Sequence, residues 1–76
     1  MSALSRSVVR LNSSHPTLPV GYSFVLKAYF KFEDKFHCQY FGIDNSKHLQ
    51  ELQEILRKLD FFAYFAVGNV SSINDL

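Results

Sequence analysis

Apolar and polar positions alternate with a period of two from Tyr22 to Glu33. Phe24, Leu26, Ala28, Phe30 and Phe32 interleave with Val25, Lys27, Tyr29, Lys31 and Glu33. Successive side chains of a strand point to opposite faces, so the pattern predicts a long strand with one apolar face and one basic-aromatic face. Phe36 to Ile43 predicts a second strand, and Glu33-Asp34-Lys35 the turn between them. Upstream, Val8-Val9-Arg10-Leu11 is a short β-prone run closed by the turn formers Asn12-Ser13-Ser14-His15-Pro16, and Pro16 to Gly21 reads as an extended loop.

The pattern allows two registers of the hairpin. A two-residue loop at Asp34-Lys35 pairs Glu33 with Phe36 and sets His37 and Gln39 beside the phenylalanines, where burial without polar partners is costly. A loop one residue longer pairs Phe32 with Phe36, Phe30 with Cys38 and Ala28 with Tyr40. It keeps the inner face apolar and is the expected register. Lys31/His37, Tyr29/Gln39, Lys27/Phe41 and Val25/Ile43 then share the outer face.

Asp44-Asn45-Ser46 supplies side-chain oxygens that can cap a helix N-terminus, and Leu49, Leu52, Ile55, Leu56 and Leu59 recur at helical spacing. A helix over residues 46–59 is expected. Glu54 and Lys58 form a favourable i,i+4 pair on it. Phe61 to Val67 reads as a buried strand, apolar on both faces. Leu59, Ala63 and Ala66 also keep a helical rhythm to Gly68, so a helix extension is the alternative, but the aromatic content favours the strand.

The fold expected from this order, β-β-β-α-β, is a small α+β layer. A mainly antiparallel sheet of three or four strands carries one amphipathic helix on one face, over Phe24, Leu26, Phe30, Phe32, Phe36 and Tyr40. The chain reads as a single domain over residues 1–76, with a flexible arm at 1–6, a folded unit at 7–67 and a polar, fraying tail at 70–76.

Composition sharpens this picture by exclusion. The 76 residues include 8 Phe and 4 Tyr but one Cys, so no disulfide forms within the chain, and 47% hydrophobic against 20% charged residues argues against disorder. All the aromatics lie between Tyr22 and Phe65, which assigns them to the hairpin, helix and following strand. The net charge of +1 separates into a basic segment to Lys31 and an acidic remainder. Cys38, on a strand, reads as a small buried hydrophobe. No apolar run is long enough to cross a bilayer as a helix, and no secretory leader is visible, so a cytoplasmic location with no membrane contact is expected.

Catalytic chemistry finds no constellation. His37 and Cys38 are adjacent on a strand and point to opposite faces, which excludes a nucleophile–base pair. His15, His37 and His48 have no metal-ligand spacing, and the 3 glycines make no phosphate-binding loop. The expectation is a non-enzyme without cofactor, metal or small-molecule substrate.

Over seven residues, Tyr64-Phe65-Ala66-Val67-Gly68-Asn69-Val70 resembles the segment closing a half-repeat of LAGLIDADG homing endonucleases, with Ala66 where that family has glycine. The signature helix with its metal-binding acid is absent, Leu18-Pro19-Val20-Gly21 preceding the first long strand instead. The resemblance therefore implies no nuclease activity.

The candidate site is the expected outer face of the hairpin: Lys27, Tyr29, Lys31, His37, Gln39 and Phe41, with Val25 and Ile43 as dimer contacts. Its apolar members suit a protein partner, with the lysines snorkelling at the rim, and a domain this small gains stability from dimerising. The main expectation is a protein-binding module acting through a sheet face or edge, as a homodimer. Its size suits an accessory, regulatory or inhibitor protein of the phage or plasmid kind. The alternative is a nucleic-acid binder that stacks bases on the rings and meets phosphates with the lysines.

Overall fold

The computed structural model describes residues 7–76, so the arm expected at 1–6 lies outside the described residues. Strands β1 (Val8–Leu11), β2 (Phe24–Phe32) and β3 (Lys35–Ile43) are followed by helix α1 (Ser46–Arg57), strand β4 (Phe62–Gly68) and a closing 3-10 turn, η1 (Val70–Asp75). The strands form one open antiparallel sheet in the order β1-β3-β2-β4. The small α+β architecture and the order of its elements are those expected from the periodicity.

The hairpin register differs from the expected one. The loop is Glu33-Asp34, Phe32 faces Lys35, and Phe30 faces His37. Both loop residues have positive φ, 53° and 62°, the signs of a type I′ turn, whose twist matches that of the flanking strands. His37, Gln39, Phe41 and Ile43 therefore share the face of Phe24, Leu26, Ala28 and Phe30, while Phe36, Cys38 and Tyr40 join Lys27, Tyr29 and Lys31 on the other. The cost of burying His37 and Gln39 does not arise. The helix covers only the half of the sheet far from the turn, leaving His37 exposed and Gln39 half-buried.

Asparagine followed by glycine is the pair that a type I′ turn accommodates with least strain, whereas Glu33 and Asp34 carry Cβ atoms in the left-handed region. Replacing them together (E33N with D34G) is expected to stabilise the domain by about 1 kcal/mol and to raise Tm by about 4–8 °C. Calorimetry checks this. An unchanged or lower Tm would contradict the two-residue turn.

Asn45 begins α1 as its N-cap, the side-chain oxygen accepting from the His48 backbone N–H at 3.0 Å. Beside it, His48 Nδ1 lies 2.8 Å from Asp44 Oδ1, and this hydrogen bond is the main reason the Asp44 carboxyl titrates below its ordinary value. Leu52 and Leu56 bury against Leu26, Ala28 and Ile43, with Leu49, Phe24, Phe62 and Phe65 packed around them. The small Ala28 side chain lets the helix lie close to the centre of the sheet. The helix ends two residues before the expected boundary, and Leu59 closes the last turn by donating its N–H to the Leu56 carbonyl at 3.0 Å.

The opposite face carries a second core that the sequence pattern does not announce. Residues 70–76 form no fraying tail. Asn69 caps η1, its Oδ1 accepting from the Ser71 N–H at 2.9 Å while its own N–H donates to Ser72 Oγ at 2.9 Å. This turn presses Ile73 and Leu76 onto Val25, Tyr40 and Leu11, and Leu18 from the extended loop packs beside them. In the same cross-strand row, Val25 lies between Gly42 and Gly68. A Cβ at Gly42 would meet Leu18 at 3.1 Å, and one at Gly68 would meet Ser72 Oγ at 2.5 Å, so the two glycines form the bed on which the closing segments lie. Val25 and Ile43 are both fully buried, one in each core. Neither lies on an outer surface, which corrects the expectation that they contact a dimer partner.

Candidate functional site

The six residues expected to form one surface are divided between the two faces by the hairpin register. Lys27, Tyr29 and Lys31 lie on the face opposite the helix, and His37, Gln39 and Phe41 on the helix face. Each triplet acquires new neighbours.

On the open face, beyond the cover of Ile73 and Leu76, Tyr29 stands between Cys38 and Tyr64 in one cross-strand row. The Tyr29 and Tyr64 rings stack with centroids 4.4 Å apart, and Phe36 meets Tyr64 edge-on at 6.4 Å. Tyr64 and Phe36 are 54% and 60% exposed, so this three-ring platform is open to solvent. Cys38 is exposed rather than buried, because its row lies past the end of the second core. Lys31 Nζ lies 6.0 Å from the Phe36 ring centre at the margin.

Lys27 is engaged elsewhere. Its ammonium donates to the Leu76 main-chain oxygen at 3.1 Å and lies 4.9 Å and 5.3 Å from the ring centres of Tyr29 and Tyr40. Hydrogen bonding to Tyr29, then Tyr40, raises its pKa above the ordinary lysine range. It acts as a tie between the platform and the closing turn. Among the described residues, only Lys31 remains on this face as a cation free to meet phosphate, which is thin for tracking a nucleic-acid backbone.

The platform ends at β4, and β4 is the outer strand on that side. It is not the buried strand expected from its composition. Ala63, Tyr64 and Val67 are exposed, and a bulge interrupts its pairing with β2 between Tyr29 and Phe30. Phe62-Ala63-Tyr64-Phe65-Ala66-Val67-Gly68 has no charged residue and no proline, two of the devices that keep an edge strand from pairing with another chain. The opposite margin is formed by the short β1, which carries Arg10, and by β3 beyond its pairing with β1, which carries Lys35, His37 and Gln39.

On the helix face, where α1 stops short of the hairpin turn, a cleft of about 480 Å³ opens. Phe30, Phe32 and Phe41 from the sheet, Leu56 and Leu59 from the end of the helix, and Phe61 form its apolar surface. Arg10, His37 and Gln39 complete it, so the second half of the expected site lines this cleft. Phe30 anchors the apolar side, with Phe61 and Phe62 at ring distances of 5.5 Å and 6.0 Å. Sequence reasoning missed Phe36, Tyr64 and Arg10. The first two follow from the register, and Arg10 from the pairing of β1 with β3, which sets it opposite Phe41.

Among the described residues, no group of three or more His, Cys, Asp or Glu side chains could hold a metal ion, and no helix is long and apolar enough to cross a membrane. No protein family model, no curated protein and no solved structure matches this chain.

Proposed function

We propose that the chain is a non-enzymatic interaction module whose primary act is to pair with a second copy of itself along the free edge of β4, in the manner of an accessory or regulatory protein. The observation that carries this reading is the chemistry of that edge: seven residues, none charged, none proline, at the open side of the sheet. Its unpaired backbone N–H and C=O groups are a template for one more strand. Antiparallel pairing of β4 with β4 across a two-fold axis makes one continuous sheet of two chains and is self-complementary by symmetry.

The side chains at the edge favour the same arrangement. Tyr64 on the open face and Val67 on the helix face are both exposed in the single chain and would be covered from either side by the partner. A domain with nine buried apolar residues among those described gains most from such added burial. The rings of the platform are less suited to single-stranded nucleic acid, since Lys27 is held by Leu76 and, among the described residues, one lysine is left on this face to meet phosphates.

Val67→Lys tests this reading, because a lysine on an edge strand opposes pairing while an exposed position tolerates it. In sedimentation velocity at micromolar concentration, the wild type is expected to run at about twice the chain mass of 8.8 kDa and the variant at 8.8 kDa, with unchanged circular dichroism. A wild type that sediments only at 8.8 kDa rejects the proposal.

A further inference from the structure

We infer that the cleft between the end of α1 and the hairpin is a binding site for a small aryl carboxylate. The inference is independent of the β4 edge and concerns a ligand class that the sequence pattern did not suggest.

The register gives the cleft two unlike walls. His37, Gln39 and Phe41 follow one another on the same face of β3, and Arg10 on β1 faces Phe41 directly, so Arg10, Gln39 and His37 line one side as a polar row. Phe30 and Phe32 on β2, with Leu56, Leu59 and Phe61, form the apolar side. Among the described residues, no acidic side chain lines it. Among the described residues Arg10 has no ion pair, and neither the Gln39 nor the His37 side chain has a hydrogen-bond partner.

That combination selects its ligand. An arginine offers a planar fork of N–H donors that matches a carboxylate bidentately, and the Gln39 amide and the His37 ring add further donors beside it. The Gln39 amide, half-buried at the edge of the apolar surface and not engaged by another side chain, can donate to an incoming oxygen. The facing phenylalanines take an aromatic ring edge-on or offset. The size also fits, since clefts of a few hundred cubic ångströms hold small organic ligands. An anionic head on the Arg10 side and a ring on the Phe30 side satisfy both walls at once.

The test is a titration of the full chain with 4-phenylbutyrate, followed by amide chemical shifts, alongside its uncharged analogue 4-phenylbutyramide. For a ligand this small the expected Kd is on the order of 1 mM. Shifts should saturate and cluster at Arg10, Phe30, His37, Gln39 and Leu59. The amide should bind about tenfold more weakly, and Arg10→Gln should weaken the acid by a similar factor, since a charge-assisted hydrogen bond is lost in each case. Arg10 is exposed, so this variant keeps the fold, which the unshifted remainder of the spectrum verifies. Equal binding of acid and amide, an Arg10→Gln variant as good as the wild type, or shifts scattered outside the cleft would each overturn the inference. The test is unaffected by the fate of the β4 proposal, because a monomeric chain has the same cleft.

Discussion

Truncating Val25 and Leu26 one at a time to alanine is expected to destabilise the domain in both cases, although the two residues are neighbours on one strand. In a sheet with one wet face, such a pair contains one residue that matters and one that does not. Here both are completely buried, Leu26 beneath α1 and Val25 beneath Ile73. Leu26→Ala removes a fully enclosed side chain from the centre of the helix-side core and should cost about 3–5 kcal/mol. Val25→Ala removes two methyl groups from the thinner core and should cost about 2 kcal/mol. A domain of this length has a total stability of about 4–11 kcal/mol, so the first change consumes a large share of it. Urea denaturation measures both. A Val25→Ala variant indistinguishable from wild type would mean that the closing turn does not pack on the sheet.

Gly68→Val attacks the same closure from the other side. A Cβ at this position already meets Ser72 Oγ at 2.5 Å and Leu76 at 3.3 Å, and valine adds two methyl groups. Ser72 Oγ cannot retreat freely, because it accepts the Asn69 N–H at 2.9 Å and completes the cap of η1. The expected result is displacement of η1, loss of the cap and exposure of Ile73, Val25 and Tyr40, for about 2–3 kcal/mol in all. Lys27 would lose its Leu76 partner at the same time. Amide hydrogen exchange resolves the effect: residues 70–76 should lose protection while α1 keeps it. Retained protection in η1 would show that valine is accommodated by other means.

The elements of this fold are legible in the sequence because they depend on local pattern. A period of two over 22–33 and a leucine spacing of three and four over 49–59 translate directly into β2 and α1, and Asn45 marks the helix start by its side chain alone. The hairpin register was not legible, because it depends on how far the helix reaches across the sheet. Counting His37 and Gln39 as buried assumes full cover, and α1 ends before it reaches them. The shift from the expected register moves Phe36 to the open face and Phe41 to the helix face, and the candidate site divides with them.

The tail was hidden for a related reason. Val70-Ser71-Ser72-Ile73-Asn74-Asp75 reads as polar, and only the contact of Ile73 with Val25 and Tyr40 reveals its role. Cys38 and β4 went wrong by composition, since a residue type that favours burial can still lie beyond the end of a core or at the edge of a sheet. What composition did convey was a surplus of apolar residues. Phe36, Tyr64 and Val67 are part of that surplus left at the surface.

Pairing of β4 with β4 is tested most directly by an isotope-filtered NOESY spectrum of a one-to-one mixture of labelled and unlabelled chains at a concentration where association is complete. Edge pairing predicts contacts between chains that connect backbone protons of Tyr64–Gly68 in one copy with the same stretch in the other. An absence of such contacts, or contacts between chains that involve β1 or the helix and leave β4 silent, would contradict it.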